Sequence, residues 1–211
     1  ITGVFLGAVV LDYEFRGTYW VVAHFHYVMV GGATGLFAGI YYWFPKMFGR
    51  MMSEAVGKVH FALTFVFFNL TFFPMHEVGL EGMMRRIYET GNYQHLSGLQ
   101  GTNEFISWSA LGLLAVGLLF AGNFIYGMFW GEEAEANPWD ANTLEWQTPS
   151  PAKHGNWETL PTVYHGPYEY SHPEVADKDW LAQNERPEVT TPYEGGEEAA
   201  GSAGAAPAGA G

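Results

Sequence analysis

The sequence has 211 residues, no cysteine and a formal net charge of −13 at pH 7. Without cysteine, the chain offers no disulfide, thiolate metal site or iron–sulfur ligand. The charge is uneven, because residues 1–131 contain 7 acids and 6 bases, whereas residues 132–211 contain 15 acids and 3 bases. A nearly neutral apolar region is therefore followed by an acidic tail.

Three stretches reach the length of about 20 mostly apolar residues that a membrane-spanning helix needs. They are Thr18–Phe44, Val56–Leu80 and Phe105–Trp130, and the first and third contain no Asp, Glu, Lys or Arg. Soluble helices of this length would show a charged face, so membrane helices are favoured. Residues 1–11 are expected to be the end of an earlier helix. The fold class predicted is all-α integral membrane, with three full transmembrane helices plus the end of a fourth.

The tail differs in composition from the apolar region. We assign residues 1–131 to a transmembrane region, residues 132–194 to an extended polar tail on the cytoplasmic face, and residues 195–211 to a disordered low-complexity end. Lys46 and Arg50 in the first loop favour a cytoplasmic position for that loop and for the tail. The excess acid fits solubility or a saline environment better than a basic partner.

Two histidines, His24 and His26, lie inside an uncharged predicted span, where polar side chains are costly and usually functional. Residues two apart on an α-helix are separated by about 200° around the axis and about 3 Å along it. The two imidazoles therefore cannot bind one metal ion, but each can ligate a separate haem iron, with Phe25 between the two cofactors. Hydrogen bonding of both histidines to neighbouring helices is the alternative, and it stays open at this point.

Other polar residues lie on or beside the second span. Arg85 and Arg86 are suited to bidentate contact with carboxylates such as haem propionates, although a plain interfacial charge pair is the alternative. Asn69 and Thr71 are expected to make interhelical hydrogen bonds. Pro74 should break the helix near its end. His76 lies close to an interface, and we assign it no metal role.

Three segments resemble the catalytic subunit of haem–copper oxidases. Gly17–Val28 (GTYWVVAHFHYV) resembles its tenth transmembrane helix, and His60–Arg86 resembles its eleventh helix with the following loop. Asn137–Pro151 (NPWDANTLEWQTPSP) resembles the segment after its twelfth helix. The three motifs occur in the family's order, and the resemblance covers roughly residues 1–170.

The resemblance implies a role for five residues. His24 would be the axial ligand of the high-spin haem, where oxygen binds, and His26 would be one of two axial ligands of the low-spin haem. Arg85 and Arg86 would pair with haem propionates. Asp12 matches an acid that lies near the propionates in the family.

One pair of positions departs from the family's pattern. Many members have His-Asp just before the Thr-Tyr that opens the tenth helix, and these residues help to hold a magnesium ion. Here the two positions are Arg16 and Gly17. A guanidinium cannot ligate a cation. The magnesium site is therefore expected to be absent or rebuilt, with Arg16 supplying positive charge.

The function implied by the resemblance is that of a terminal respiratory oxidase. The complete subunit would reduce O2 to water and pump protons, using two haems of the a type and a copper ion whose ligands lie on earlier helices. This fragment alone is expected to be inactive. The expected partners are the other oxidase subunits, above all the copper-bearing second subunit, and membrane lipid, with no nucleic acid. The electron donor would be cytochrome c, a blue-copper protein or a quinol, and the location would be the cell membrane, with several passes.

Three alternatives remain open from the sequence. A nitric oxide reductase of the same superfamily also places two histidines in this way, although the NPW…TLEW segment is not expected there. A non-catalytic dihaem electron carrier would hold two low-spin haems. A transporter or structural bundle would hold no cofactor.

Overall fold

The structure, a computed structural model, describes residues 1–164, 166 and 182–186. The predicted disorder of residues 195–211 therefore concerns residues outside the described part. Within the described part the chain is helical, and its only β-type pairings are two isolated antiparallel bridges. This helical fold is the class that the apolar stretches predict.

The described residues form six α-helices and three short 3₁₀ segments. Three helical regions are long and apolar enough to cross a membrane, namely α3, the combined α4 and α5, and the stretch 94–130 that contains α6. The prediction of three transmembrane helices is thereby confirmed. The helices are α1 Thr2–Gly7, α2 Val9–Phe15, α3 Tyr19–Phe48, α4 Glu54–Phe72, α5 Pro74–Leu80 and α6 Gln100–Trp130.

Local sequence explains where these helices begin and end. The Thr18 hydroxyl accepts a hydrogen bond from the backbone N–H of Trp20 at 3.2 Å and so caps the start of α3. Gly49 ends α3 with φ +67, a backbone conformation that glycine adopts without strain. Pro74 occupies the first turn of α5, so the second span breaks at Phe73, as the sequence predicts. The first eleven residues do not form one helix, because Ala8 is extended between α1 and α2.

The helices pack closely where glycines allow it. A Cβ built on Gly79 of α5 would lie 2.1 Å from the backbone nitrogen of Trp20, so α5 lies against the start of α3. A Cβ built on Gly112 of α6 would lie 2.3 Å from the ring of Phe67 on α4. A buried apolar cluster beside α5 joins the segment that follows α5 to the start of α6. Its members are Val78, Met83, Leu96 and Ile106.

At the opposite end of α3, the loop to α4 pairs with the segment that follows α6. The Met51 N–H donates to the Glu132 carbonyl at 2.8 Å, and the Ala134 N–H donates to the Gly49 carbonyl at 3.0 Å. The buried Lys46 ammonium donates to the carbonyl of Ala136 at 2.6 Å. These bonds fix residues 132–136 to the end of the helix bundle.

The described residues of a second compact unit are 139–148, 154–164, 166 and 182–186. Trp146 is fully buried, and its ring meets that of Trp139 edge-on at 6.5 Å. The Gln183 N–H donates to the Asn142 carbonyl at 3.0 Å, and the Tyr164 N–H donates to the Gln183 carbonyl at 2.8 Å. Backbone hydrogen bonds therefore bring distant parts of the tail together.

Candidate functional site

His24 lies on α3 beside a cavity of about 660 Å³. Its Nδ1 is 2.9 Å from the Thr2 hydroxyl of α1, and a hydroxyl can donate or accept, so this contact fits either tautomer of the imidazole. The backbone of α1 is close as well, because a Cβ built on Gly3 would lie 2.8 Å from the His24 ring. Other residues on the cavity wall are Trp20, Tyr27, Asn69, Phe73 and His76.

His26 faces different neighbours. Its Nδ1 lies 2.7 Å from the carbonyl of Val22, and because a carbonyl can only accept, Nδ1 carries the proton. This leaves the Nε2 lone pair for a metal ion. The His26 ring stacks on Phe72 of α4 at 4.4 Å and on Phe25 at 4.4 Å. The two imidazoles therefore contact different helices, as their spacing predicts.

The two arginines lie at the same end of α3 as the histidines. The Arg85 N–H donates to the Gly17 carbonyl at 2.9 Å, and the Tyr19 N–H donates to the Met83 carbonyl at 2.9 Å. This antiparallel contact ties the segment after α5 to the start of α3. His24 lies five residues into α3, about 7.5 Å along its axis at a rise of 1.5 Å per residue.

The charges near this end are unequally paired. Among the described residues, no carboxylate lies within ion-pair distance of Arg85 or Arg86, and the side chain of Arg86 is exposed. Asp12 on α2, by contrast, accepts a hydrogen bond from Arg16 Nε at 2.8 Å. The structure thus presents two guanidiniums available to carboxylates, together with one carboxylate that already has a cationic partner.

His76 belongs to this region, although the sequence analysis assigned it no metal role. It is 8% exposed, its ring meets that of Trp20 edge-on at 4.8 Å, and both side chains lie on the wall of the cavity beside His24. The His76 Nε2 and the Trp20 Nε1 are buried without a hydrogen-bond partner in the described part of the chain. In the sequence, only Pro74 hints at this position of His76, because the helix break at Pro74 places α5 against α3.

The predicted interhelical hydrogen bonds have mixed outcomes. Tyr27 of α3 donates to Asn69 Oδ1 of α4 at 2.8 Å, which confirms the prediction for Asn69. The Thr71 hydroxyl donates to the Phe67 carbonyl at 2.7 Å within its own helix, so the prediction for Thr71 is wrong. A threonine hydroxyl reaches the carbonyl one turn back without any partner helix.

Residues 1–128 match the family described as cytochrome c and quinol oxidase polypeptide I. The chain belongs to this family. The match includes both histidines, both arginines and the whole of α1 to α5. The match covers the first two of the three motifs on which the resemblance rests, Gly17–Val28 and His60–Arg86.

Relatives within the oxidase polypeptide I family are similar over most of the chain. A cytochrome c oxidase subunit 1 of Synechocystis sp. is 47% identical over 173 residues, which are 81% of this chain and 30% of that protein. An alternative cytochrome c oxidase subunit 1 of Bradyrhizobium diazoefficiens is 44% identical over 191 residues, 89% of this chain and 32% of that protein. A cytochrome c oxidase subunit 1 of Bacillus subtilis is 45% identical over 165 residues, 77% of this chain and 26% of that protein. The chain spans about a third or less of the length of these relatives.

Proposed function

We propose that this chain is part of the catalytic subunit of a haem–copper terminal oxidase that reduces O2 to water and pumps protons. In this proposal, His24 is the axial ligand of the high-spin haem and His26 is one axial ligand of the low-spin haem. The observation that carries the proposal is the pair of imidazoles, two residues apart on one apolar helix and held by different neighbours. The named relatives are all cytochrome c oxidase subunits, which favours oxygen reduction over the nitric oxide reductase alternative.

The residues present fit two haem groups. The proton on His26 Nδ1 leaves Nε2 as the donor atom, which is the tautomer that iron ligation requires. The cavity beside His24 is lined largely by apolar atoms, and it adjoins buried polar atoms of Trp20 and His76 that have no other described partner. When bound, the haems would supply electron transfer and, with a copper ion held by other parts of the subunit, oxygen reduction.

Arg85 and Arg86 would hold haem propionates at the start of α3. The Arg85 N–H bonds the Gly17 carbonyl, so main-chain atoms fix the segment that carries the two arginines relative to the helix of the histidines. Guanidiniums suit carboxylates because they offer two parallel N–H donors. Positive charge near a haem also makes the reduced iron relatively more stable, so the two arginines would raise the haem potentials. Asp12 would lie near the same propionates and contribute a negative charge there.

The orientation and partners follow from the same proposal. Lys46 and Arg50 lie at the end of α3 away from the histidines, and basic residues favour the cytoplasmic side. The segment after α6 is bonded to this end, so the tail would be cytoplasmic and the haem-propionate end would face outward. We propose other oxidase subunits, above all a copper-bearing second subunit, as partners, with cytochrome c or a blue-copper protein as the donor.

The test is a pair of substitutions in the complete subunit. His24→Ala should abolish the carbon monoxide difference spectrum of the high-spin haem and oxygen consumption, while the low-spin band largely remains. His26→Ala should remove the low-spin band instead, because each imidazole serves its own iron. The matched control is His95→Ala, which changes an exposed histidine in the loop before α6 and should leave both spectra unchanged. Normal carbon monoxide binding and turnover in His24→Ala would refute the assignment.

A further inference from the structure

The two residues before the Thr18 cap of α3 have no side-chain atom that can ligate a cation. The Arg16 guanidinium has five donors and no acceptor, and Gly17 has no side chain. A magnesium ion requires several oxygen ligands in near-octahedral geometry. The magnesium ion that the family resemblance implies therefore does not fit these side chains.

Arg16 instead bonds the nearest carboxylate. Its Nε donates to Asp12 Oδ2 at 2.8 Å, and its Nη2 contacts the same oxygen. The hydrogen bond and the charge of Asp12 raise the pKa of Arg16 above its usual value, so the guanidinium stays charged. The Asp12 side chain is 20% exposed, whereas that of Arg16 is 79% exposed. The carboxylate is thus partly covered, with the cation on its solvent side.

Gly17, the next residue, forms the turn that precedes α3. Gly17 has φ +81, and its carbonyl accepts the Arg85 N–H at 2.9 Å. This turn directs the chain from the Arg16–Asp12 pair into the antiparallel contact with the segment that carries Arg85. The Arg16–Asp12 pair and the segment that carries Arg85 and Arg86 are therefore connected through one short stretch of backbone at the same end of α3.

We propose that the Arg16 guanidinium, bonded to Asp12, takes the place of a divalent cation at the propionate end of the haem site, and that the protein binds no magnesium there. This inference rests on the proposed haem ligation by His24 and His26. The fixed cation balances Asp12 and contributes positive potential to the haems without a metal ion. The positive potential that Arg16 contributes to the haems then does not depend on the magnesium concentration.

The first experiment uses Mn²⁺, a paramagnetic substitute that octahedral oxygen sites accept. The complete oxidase is purified from cells grown with excess manganese, passed over a desalting column with a chelator, and examined by electron paramagnetic resonance and metal analysis. The wild-type protein should retain no bound manganese. The double variant R16H/G17D should retain manganese in proportion to its haem. A Cβ at Gly17 meets nothing within 4 Å, and Asp tolerates positive φ better than most residues.

Both manganese results are decisive. Retention of stoichiometric manganese by the wild type would overturn the proposal. An R16H/G17D protein with normal haem spectra and no manganese would also overturn it, because the place would then not be a cation site. Absent haem spectra in the wild type would instead refute the proposed function, so the two failures are distinguishable.

The second experiment needs no new metal site and stands even if R16H/G17D does not fold. Redox titration of R16Q should show lower haem midpoint potentials, because a positive charge is lost while Asp12 remains. D12N should shift the potentials in the opposite direction. Added Mg²⁺ should leave the potentials of the wild type unchanged. Unchanged potentials in R16Q, or a response of the wild type to Mg²⁺, would overturn the role assigned to Arg16.

Discussion

The contact between α5 and the start of α3 can be tested by one added methyl group. Alanine at Gly79 would place its Cβ 2.1 Å from the Trp20 nitrogen, 2.8 Å from the Trp20 Cα and 2.9 Å from the Tyr19 carbonyl carbon. All three are backbone atoms, so no side chain can rotate away. We expect Gly79→Ala to push α5 off α3 in the complete oxidase.

The size of the effect follows from these distances. Ordinary contact begins at 3.4 Å, so α5 must retreat by about 1.3 Å from the Trp20 nitrogen. That displacement strains the 2.9 Å bonds from Tyr19 to Met83 and from Arg85 to Gly17. Overpacking costs about 1–3 kcal/mol and each lost hydrogen bond about 0.5–1.5 kcal/mol, which together give about 2–6 kcal/mol.

The assay is thermal loss of the haem absorption bands in detergent, with redox titration at low temperature. Gly79→Ala should lose its haem bands at a lower temperature and should have altered midpoint potentials, since the arginine pair moves with the segment after α5. Gly101→Ala is the control, because a Cβ there meets nothing within 4 Å and the residue lies in the first turn of α6. Wild-type melting and potentials in Gly79→Ala would refute this packing of α5 against α3.

Two further predictions concern charge and the tail. Replacing Arg85 or Arg86 with Gln should lower a haem midpoint potential by about 40 mV for each kcal/mol of propionate attraction lost, and unchanged titrations in both variants would favour a plain interfacial pair. Truncation after Gly195 should leave haem content and oxygen consumption near normal. Truncation after Gly131 should reduce assembly sharply, because it removes the carbonyl partners of Met51 and other residues at the end of α3. The opposite pattern would contradict this division of the tail.

The sequence predicted the features that depend on local pattern. The length of the apolar stretches predicted the three spans. The geometry of an α-helix predicted that His24 and His26 contact different neighbours. Pro74 marked the break in the second span. Each of these depends on residues close together in the chain, so the spacing of residues was sufficient.

Features that depend on contact between distant residues were not predicted. His76 was placed near an interface with no metal role, yet it is buried against Trp20, more than fifty residues away in sequence. The approach of Gly79 to α3 has the same origin, since a glycine in an apolar helix does not indicate which backbone it meets. The break at Ala8 follows Gly7, but an isolated glycine in an apolar stretch does not by itself predict where a helix ends.

Main-chain atoms link the segment of the arginines to the helix of the histidines. The charge of the arginines and their position can therefore be changed separately. Arg85→Gln changes charge while its N–H still bonds Gly17, whereas Gly79→Ala changes position while every charge is kept. If the arginines act only through their charge at this fixed position, displacing them weakens the same attraction that the Gln substitution removes. The potential shift of the double variant should then be smaller than the sum of the two single shifts, because residues that share an interaction are not additive. Additive shifts would mean that the packing of α5 tunes the haems independently of the arginines.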